Sequence, residues 1–148
     1  DVYKRQGLWS GLMNIALSLG ITTKLQQMLS PFLSFLFPNL KNKKAKEYIS
    51  TNIIANMLGL GWAATPSGLK AMEELQKNNP HKDTATNEMC SFLILNISSL
   101  QLIPINIIAY RSQYGSVNPT KVLIPGLIAT FASTIMAVIY IKWKDRKR

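Results

Sequence analysis

Five stretches of the chain carry no charged side chain: residues 6–23, 25–40, 48–69, 89–110 and 122–141. Lys and Arg gather at the ends of these runs rather than on alternating helical faces, so the pattern predicts apolar helices separated by charged loops. At about 1.5 Å per residue, runs 89–110 and 122–141 reach about 30 Å or slightly more, which matches the hydrocarbon core of a bilayer. Nearer the start, Leu8 to Leu19 reads as an apolar helix ended by Gly20. Thr22 or Thr23 can cap a second short helix through Leu29, which Ser30-Pro31 is expected to break. The aromatic run at 32–38 is too short to span and suits the membrane interface or packing beneath the bundle.

Run 48–69, YISTNIIANMLGLGWAATPSGL, spans about a membrane thickness but is ill suited to a plain crossing. Asn52 and Asn56 are four apart and share one face of a helix, and each brings an amide that is costly to leave unpaired in hydrocarbon. Gly59 and Gly61 then remove side chains from one turn, and Thr65-Pro66-Ser67-Gly68 supplies a turn with no amide hydrogen at the proline. The expected outcome is a helix that stops partway and doubles back. Irregular backbone at membrane depth is tolerated only where protein or a water-filled cavity covers it, so this stretch points to a binding or transport site.

Charge placement turns the runs into a topology. Lys41, Lys43, Lys44 and Lys46 put four positive charges into six residues, and the tail carries Lys142, Lys144, Arg146, Lys147 and Arg148 against Asp145. Placing the tail in the cytoplasm by the positive-inside tendency makes 122–141 an outward crossing, 111–121 an external turn and 89–110 the return. The segments flanking run 48–69 are then both cytoplasmic, so that run enters and leaves on one side. Beyond it, Lys70, Glu73, Glu74 and Lys77 stand at helical spacing, and Asn78-Asn79-Pro80 ends that helix before Asp83 or Thr84 caps the next. A net charge of +10 alone would also suit a nucleic-acid binder, but no basic face with readout residues is laid out, so no nucleic-acid partner is expected. The first six residues, DVYKRQ, read as a translated sequencing-adapter scar, and the native chain is expected to continue upstream.

A second polar group lies in run 89–110, where Asn96, Ser98, Ser99 and Gln101 precede Pro104 and Asn106. Pro104 frees the carbonyl four residues earlier, beside the serines, and such a break exposes backbone to a ligand; the same side chains also serve as hydrogen-bonding glue between helices. Run 122–141 is cleaner and reads as a scaffold helix. Catalysis has little support. His81 is the sole histidine and sits in a loop, Cys90 is the sole cysteine and lacks a neighbouring base, and Gly59-Leu60-Gly61 follows an apolar helix with no Lys-Ser or Lys-Thr after it. No enzyme activity, metal or cofactor is expected. No Asp, Glu or Arg lies inside an expected span; Glu73, Glu74 and Glu88 lie near the cytoplasmic face.

These residues also carry a resemblance. Asn56 to Gly61, Ala63 to Pro66, Gly68, Lys70 to Met72, Glu74 to Gln76, Lys82 to Asn87, Met89-Cys90, Asn96, Ser98-Ser99 and Leu102 to Pro104 closely resemble the spore maturation protein A family. That family belongs to the nucleoside-recognition, or Gate, domain group, which is similar to parts of concentrative nucleoside transporters and of ferrous iron transporter B. One position departs: Trp62 stands where the family commonly has a small polar residue such as Asn. The resemblance implies an all-α, polytopic membrane bundle with a re-entrant broken-helix hairpin, related to one half of a nucleoside-transporter-like fold. It implies apolar and interfacial helices over 7–47, the hairpin over 48–77, and two transmembrane helices with a basic cytoplasmic tail over 78–148, with 48–148 as one Gate domain.

It further implies a multi-pass protein of the cell membrane with a role in spore core dehydration. The implied partners are the lipid bilayer, a membrane protein resembling spore maturation protein B or further copies of the chain, and a nucleoside-like small molecule. The candidate ligand-binding residues are Asn52, Asn56, Gly59, Gly61, Thr65, Asn96, Ser98 and Ser99. The alternative is a non-transporting membrane scaffold whose hairpin docks a partner.

Overall fold

A computed structural model describes residues 21–98, 101–102 and 104–146, with the side chains at 21, 22, 62 and 63 set aside. The described residues form six α-helices and no strand: α1 Ile21–Leu36, α2 Lys43–Met57, α3 Gly61–Lys77, α4 Asn87–Ser98, α5 Ile105–Gln113 and α6 Leu123–Arg146, the last preceded by a 3-10 turn, Pro119–Val122. The helix expected over Leu8 to Leu19 lies outside the described residues.

Three boundaries differ from expectation. Helix α1 runs through Pro31 instead of breaking there. A proline within a helix deletes one backbone hydrogen bond, but the turns beyond it bury Leu33 and Leu36 at 1% exposure each, and Phe37 follows into the same core, which offsets the loss. The Ser34 hydroxyl donates to the Ser30 carbonyl at 2.9 Å and holds the helix across that point. The reversal in run 48–69 falls at 58–60, not at Thr65-Pro66-Ser67-Gly68, which lies inside α3. Gly59 takes φ +73°, and its N–H bonds to the Asn56 carbonyl while that of Leu60 reaches the Ala55 carbonyl, the paired closure of a left-handed helix end. With the reversal made there, Pro66 is carried in the second turn of α3. Finally, run 89–110 holds two short helices, α4 and α5, with residues 101, 102 and 104 outside both, rather than one kinked crossing.

Caps follow local chemistry. Asn42 caps α2, its side-chain oxygen accepting from the Ala45 N–H at 3.1 Å, so the lysine-rich stretch expected as a loop already begins the helix at Lys43. Thr86, rather than Asp83 or Thr84, caps α4 by accepting from the Met89 N–H at 3.3 Å. Buried Asn79 ties the α3–α4 connection, donating to the Thr84 carbonyl and accepting from the His81 N–H.

Helices α2 and α3 pack antiparallel as a hairpin, with α1 against α2 and α4 against α6. The apolar core sits where the end of α1, the start of α2, the end of α3, the start of α4 and the end of α6 converge, and includes Ile49, Ala71, Leu75, Phe92 and Ile141. Polar contacts close the same end: Asn42 donates to the Glu74 carbonyl at 3.3 Å, Lys142 to the Phe35 carbonyl and Asn87 to the Asp145 carboxylate. Lys77 reaches Glu74 at 2.6 Å and Glu73 at 3.6 Å, while Lys70 lies over the Tyr48 ring. The Lys77 ammonium, bonded to Glu74, holds that carboxyl below the usual range, and the same bond raises Lys77.

Helix α6, 24 residues and about 36 Å long, stands apart. Together with the preceding 3-10 turn it is the one helix among the described residues long and apolar enough to cross a membrane. Only Ala137 and Ile141 of it are buried; Ile124, Ile128, Phe131 and Met136 are each more than half exposed. Its packed stripe is narrow and rich in small residues, running through Thr130, Thr134, Ala137 and Ile141.

Candidate functional site

The asparagine spacing does its expected work. Asn52 is buried at 3% exposure and half-buried Asn56 lies one turn on; the Asn56 amide donates to the Asn52 side-chain oxygen at 3.3 Å. The same Asn56 amide donates to the side-chain oxygen of Asn96, on α4, at 3.0 Å. Asn96 in turn donates to the Phe92 carbonyl one turn earlier at 3.1 Å. Asn52 donates across the hairpin to the Ala64 carbonyl at 2.8 Å, and that carbonyl also accepts from buried Ser67 at 2.9 Å. Three amides thus join α2, α3 and α4 in one chain of hydrogen bonds, as polar groups removed from water require.

Backbone joins the two helix interruptions directly. The Leu102 N–H, in the gap between α4 and α5, donates to the Met57 carbonyl at the end of α2 at 2.8 Å. The Gln101 carbonyl in the same gap accepts from the Thr130 hydroxyl of α6 at 3.5 Å. Gly126 of α6 faces Pro104, to which an added Cβ would come no nearer than 3.8 Å. The hairpin tip, the gap and the first half of α6 therefore meet at one level, where groups that a continuous helix would satisfy are satisfied by neighbours.

Of the candidate residues, Asn52, Asn56 and Asn96 come together, with Gly59 in the adjoining turn. Ser98 is buried but donates to the Leu95 carbonyl of its own helix at 2.7 Å. Thr65 is exposed, its hydroxyl 3.3 Å from the carbonyl of exposed Gly61, and neither joins the amide chain. Ser99 lies outside the described residues, as does the Leu100 carbonyl expected to be freed by Pro104. The asparagine spacing did not reveal Gly68 and the Ala64 carbonyl as partners of Asn52, nor Ser67, which donates to the same carbonyl. A Cβ added at Gly68 would stand 2.8 Å from the Asn52 side-chain nitrogen, so glycine there is what lets the two helices close on the amide. The i, i+3 and i, i+4 spacing of Ala64, Ser67 and Gly68 was the available signal. No group of three or more His, Cys, Asp or Glu side chains able to hold a metal occurs among the described residues.

Among the described residues, fold and cluster together define an all-helical protein with one candidate membrane-spanning helix, in which a helical hairpin meets an interrupted helix through asparagine amides. The chain is 41% identical over 144 residues to spore maturation protein A of Bacillus subtilis (strain 168), an alignment covering 95% of this chain and 74% of that protein. The chain belongs to the spore maturation protein A family. No protein-family model matches it, and no solved structure does.

Proposed function

We propose that the chain is an integral membrane protein of sporulation and one half of a transporter-like or channel-like complex, its α2–α3 hairpin entering from the cytoplasmic side and returning to it. The observation that carries this reading is the depth of the hairpin tip. Through Met57, Leu102, Gln101 and Thr130 the tip is tied to α6 at a point about 12 Å along the helix from Val122 and about 16 Å from Ile141, near the middle of its apolar run. A hairpin that stops at mid-depth against a neighbour interrupted at the same depth is the arrangement in which transporters place binding sites, with irregular backbone covered by protein. Half-buried Asn56 and Asn96 lie at that level and suit a ligand rich in hydrogen-bonding groups, such as a nucleoside. The second half would be supplied by a membrane partner resembling spore maturation protein B or by another copy.

A second reading, a scaffold whose hairpin docks a partner without transport, is favoured by one specific feature. Both donors of Asn56, one each of Asn52 and Asn96, and the hydroxyls of Ser67 and Ser98 are already engaged within the bundle. Equilibrium binding of labelled nucleosides to the reconstituted complex separates the two. The transport reading expects saturable binding that Asn56→Ala and Asn96→Ala each weaken about tenfold, the effect of one lost hydrogen bond to a bound polar group, while far-UV circular dichroism stays unchanged. A folded complex with no nucleoside-dependent signal leaves the scaffold.

A further inference from the structure

We propose that the cleft at the basic end of the bundle binds a phospholipid whose headgroup carries both a phosphodiester and a primary ammonium. This rests on the membrane reading of α6 given above, and concerns the opposite end of the hairpin from the asparagine cluster. The cleft, about 1040 Å³, lies between the end of α1, the α3–α4 connection, the start of α4 and the end of α6. That volume is at the upper end of small-molecule sites.

Its walls are apolar where Phe35, Phe37, Val138, Ile139 and Trp143 line it. Exposed Phe131, Ile135 and Ile139 continue that surface along α6 toward the middle of the apolar run, a track for an acyl chain. Tyr140 and Trp143, their rings tilted 38° with centroids 6.2 Å apart, stand at the same end, the level at which amphipathic rings gather in membrane proteins.

The charges around the cleft choose the headgroup. Lys142, Arg146, Glu88 and Asp145 all line it. Two are engaged: Lys142 donates to the Phe35 carbonyl and lies 4.3 Å from the centre of that ring, and Asp145 accepts from Asn87. Arg146 and Glu88 enter no salt bridge, the ion pairs among the described residues being those of Lys77 with Glu73 and Glu74. Lys142 and Asp145 keep their charges on their neutral partners, so two cations and two anions line an apolar cleft and complement a zwitterion: the phosphodiester against Arg146, the ammonium against Glu88. A headgroup of phosphate and glycerol would offer Glu88 neutral hydroxyls and no cation.

The test uses the full chain in detergent with Trp9→Phe and Trp62→Phe, which leaves Trp143 as the sole indole of the three in the sequence. Phosphatidylethanolamine and phosphatidylglycerol, each with brominated acyl chains, are titrated while Trp143 fluorescence is read. The expected result is saturable quenching by both, with phosphatidylethanolamine reaching half-effect at about tenfold lower mole fraction, the discrimination of one charge-assisted hydrogen bond. Glu88→Gln should erase that difference, and Arg146→Ala should weaken both lipids. Equal titrations, quenching without saturation, or a preference that survives Glu88→Gln overturns the proposal. Should the tryptophan substitutions unfold the chain, native mass spectrometry of the unsubstituted protein decides by which of the two lipids it retains. Alkaline carbonate washing separates the underlying reading: a chain released from membranes loses both readings, whereas an integral chain with no headgroup preference loses only this one.

Discussion

At the scale of single residues, Gly68 fits closely against Asn52. Replacing a helical glycine by alanine ordinarily gains about 1 kcal/mol of helix propensity. Here the new methyl would stand 2.8 Å from a buried amide that is holding the Ala64 carbonyl, and displacing it breaks that bond. Gly68→Ala is therefore expected to destabilise the hairpin by about 1–2 kcal/mol net, overpacking and the lost bond together exceeding the propensity gain. In an Asn52→Ala background, where the amide is gone, the same substitution should become neutral or stabilising. Thermal unfolding of the four proteins in detergent checks the sign reversal. Sequence spacing placed Asn52 and Asn56 on one face because side chains four apart in a helix must be neighbours. It could not pair Asn52 with Gly68, sixteen residues on, because that contact depends on where the chain reverses.

Among the elements, the α2–α3 reversal is set by backbone conformation at one residue. Gly59→Ala places a Cβ at φ +73° and is expected to cost about 1–2 kcal/mol, read as a lower unfolding temperature, whereas Gly61→Ala, with open space around its Cβ, should be far milder. The junction of hairpin and interrupted helix gives a second test. A double-mutant cycle on Asn56→Ala and Asn96→Ala should show about 0.5–1.5 kcal/mol of coupling, since each alanine removes the same hydrogen bond. At the other end of the hairpin, Glu74 is bonded to Lys77, which lowers the carboxyl and raises the amine. A depressed carboxyl stabilises above its unfolded value and loses that contribution as pH falls through the folded one. A raised lysine stabilises below its unfolded value and loses its contribution as pH rises through the folded one. Hairpin stability should thus be flat across neutral pH and fall in acid, and Glu74→Gln should flatten the acid limb in a pH series of unfolding temperatures. The reversal was legible as a tendency of this stretch, from Gly59 and Gly61. Its exact position was not, because Thr-Pro-Ser-Gly is equally good turn chemistry until Gly59 has made the turn and packing has carried Pro66 into a helix.

For the whole molecule, the charged ends of α2, α3, α4 and α6 converge with the apolar end of α1 at one end, while the 3-10 turn joins α5 to α6 at the other. With the orientation proposed above, that arrangement predicts a labelling pattern. In a Cys90→Ser background, Lys43→Cys, Lys77→Cys and Lys144→Cys should react with an impermeant maleimide from the cytoplasmic side, and Ser116→Cys from the other. Reaction of Lys43→Cys and Lys77→Cys on opposite sides would make the hairpin a full crossing and sink the re-entrant reading.

By itself, the sequence determined the helical class, the long apolar α6, the paired asparagines and the concentration of positive charge at the ends of the apolar runs, because each is a consequence of periodicity, composition or local chemistry. Tertiary structure alone decided that α1 continues through Pro31, that run 89–110 divides in two, and that the hairpin tip meets that division beside Thr130. A backbone hydrogen bond missing within a helix can be compensated by burial or by a group from another element, and which element arrives depends on contacts far apart along the chain, where no local pattern reaches.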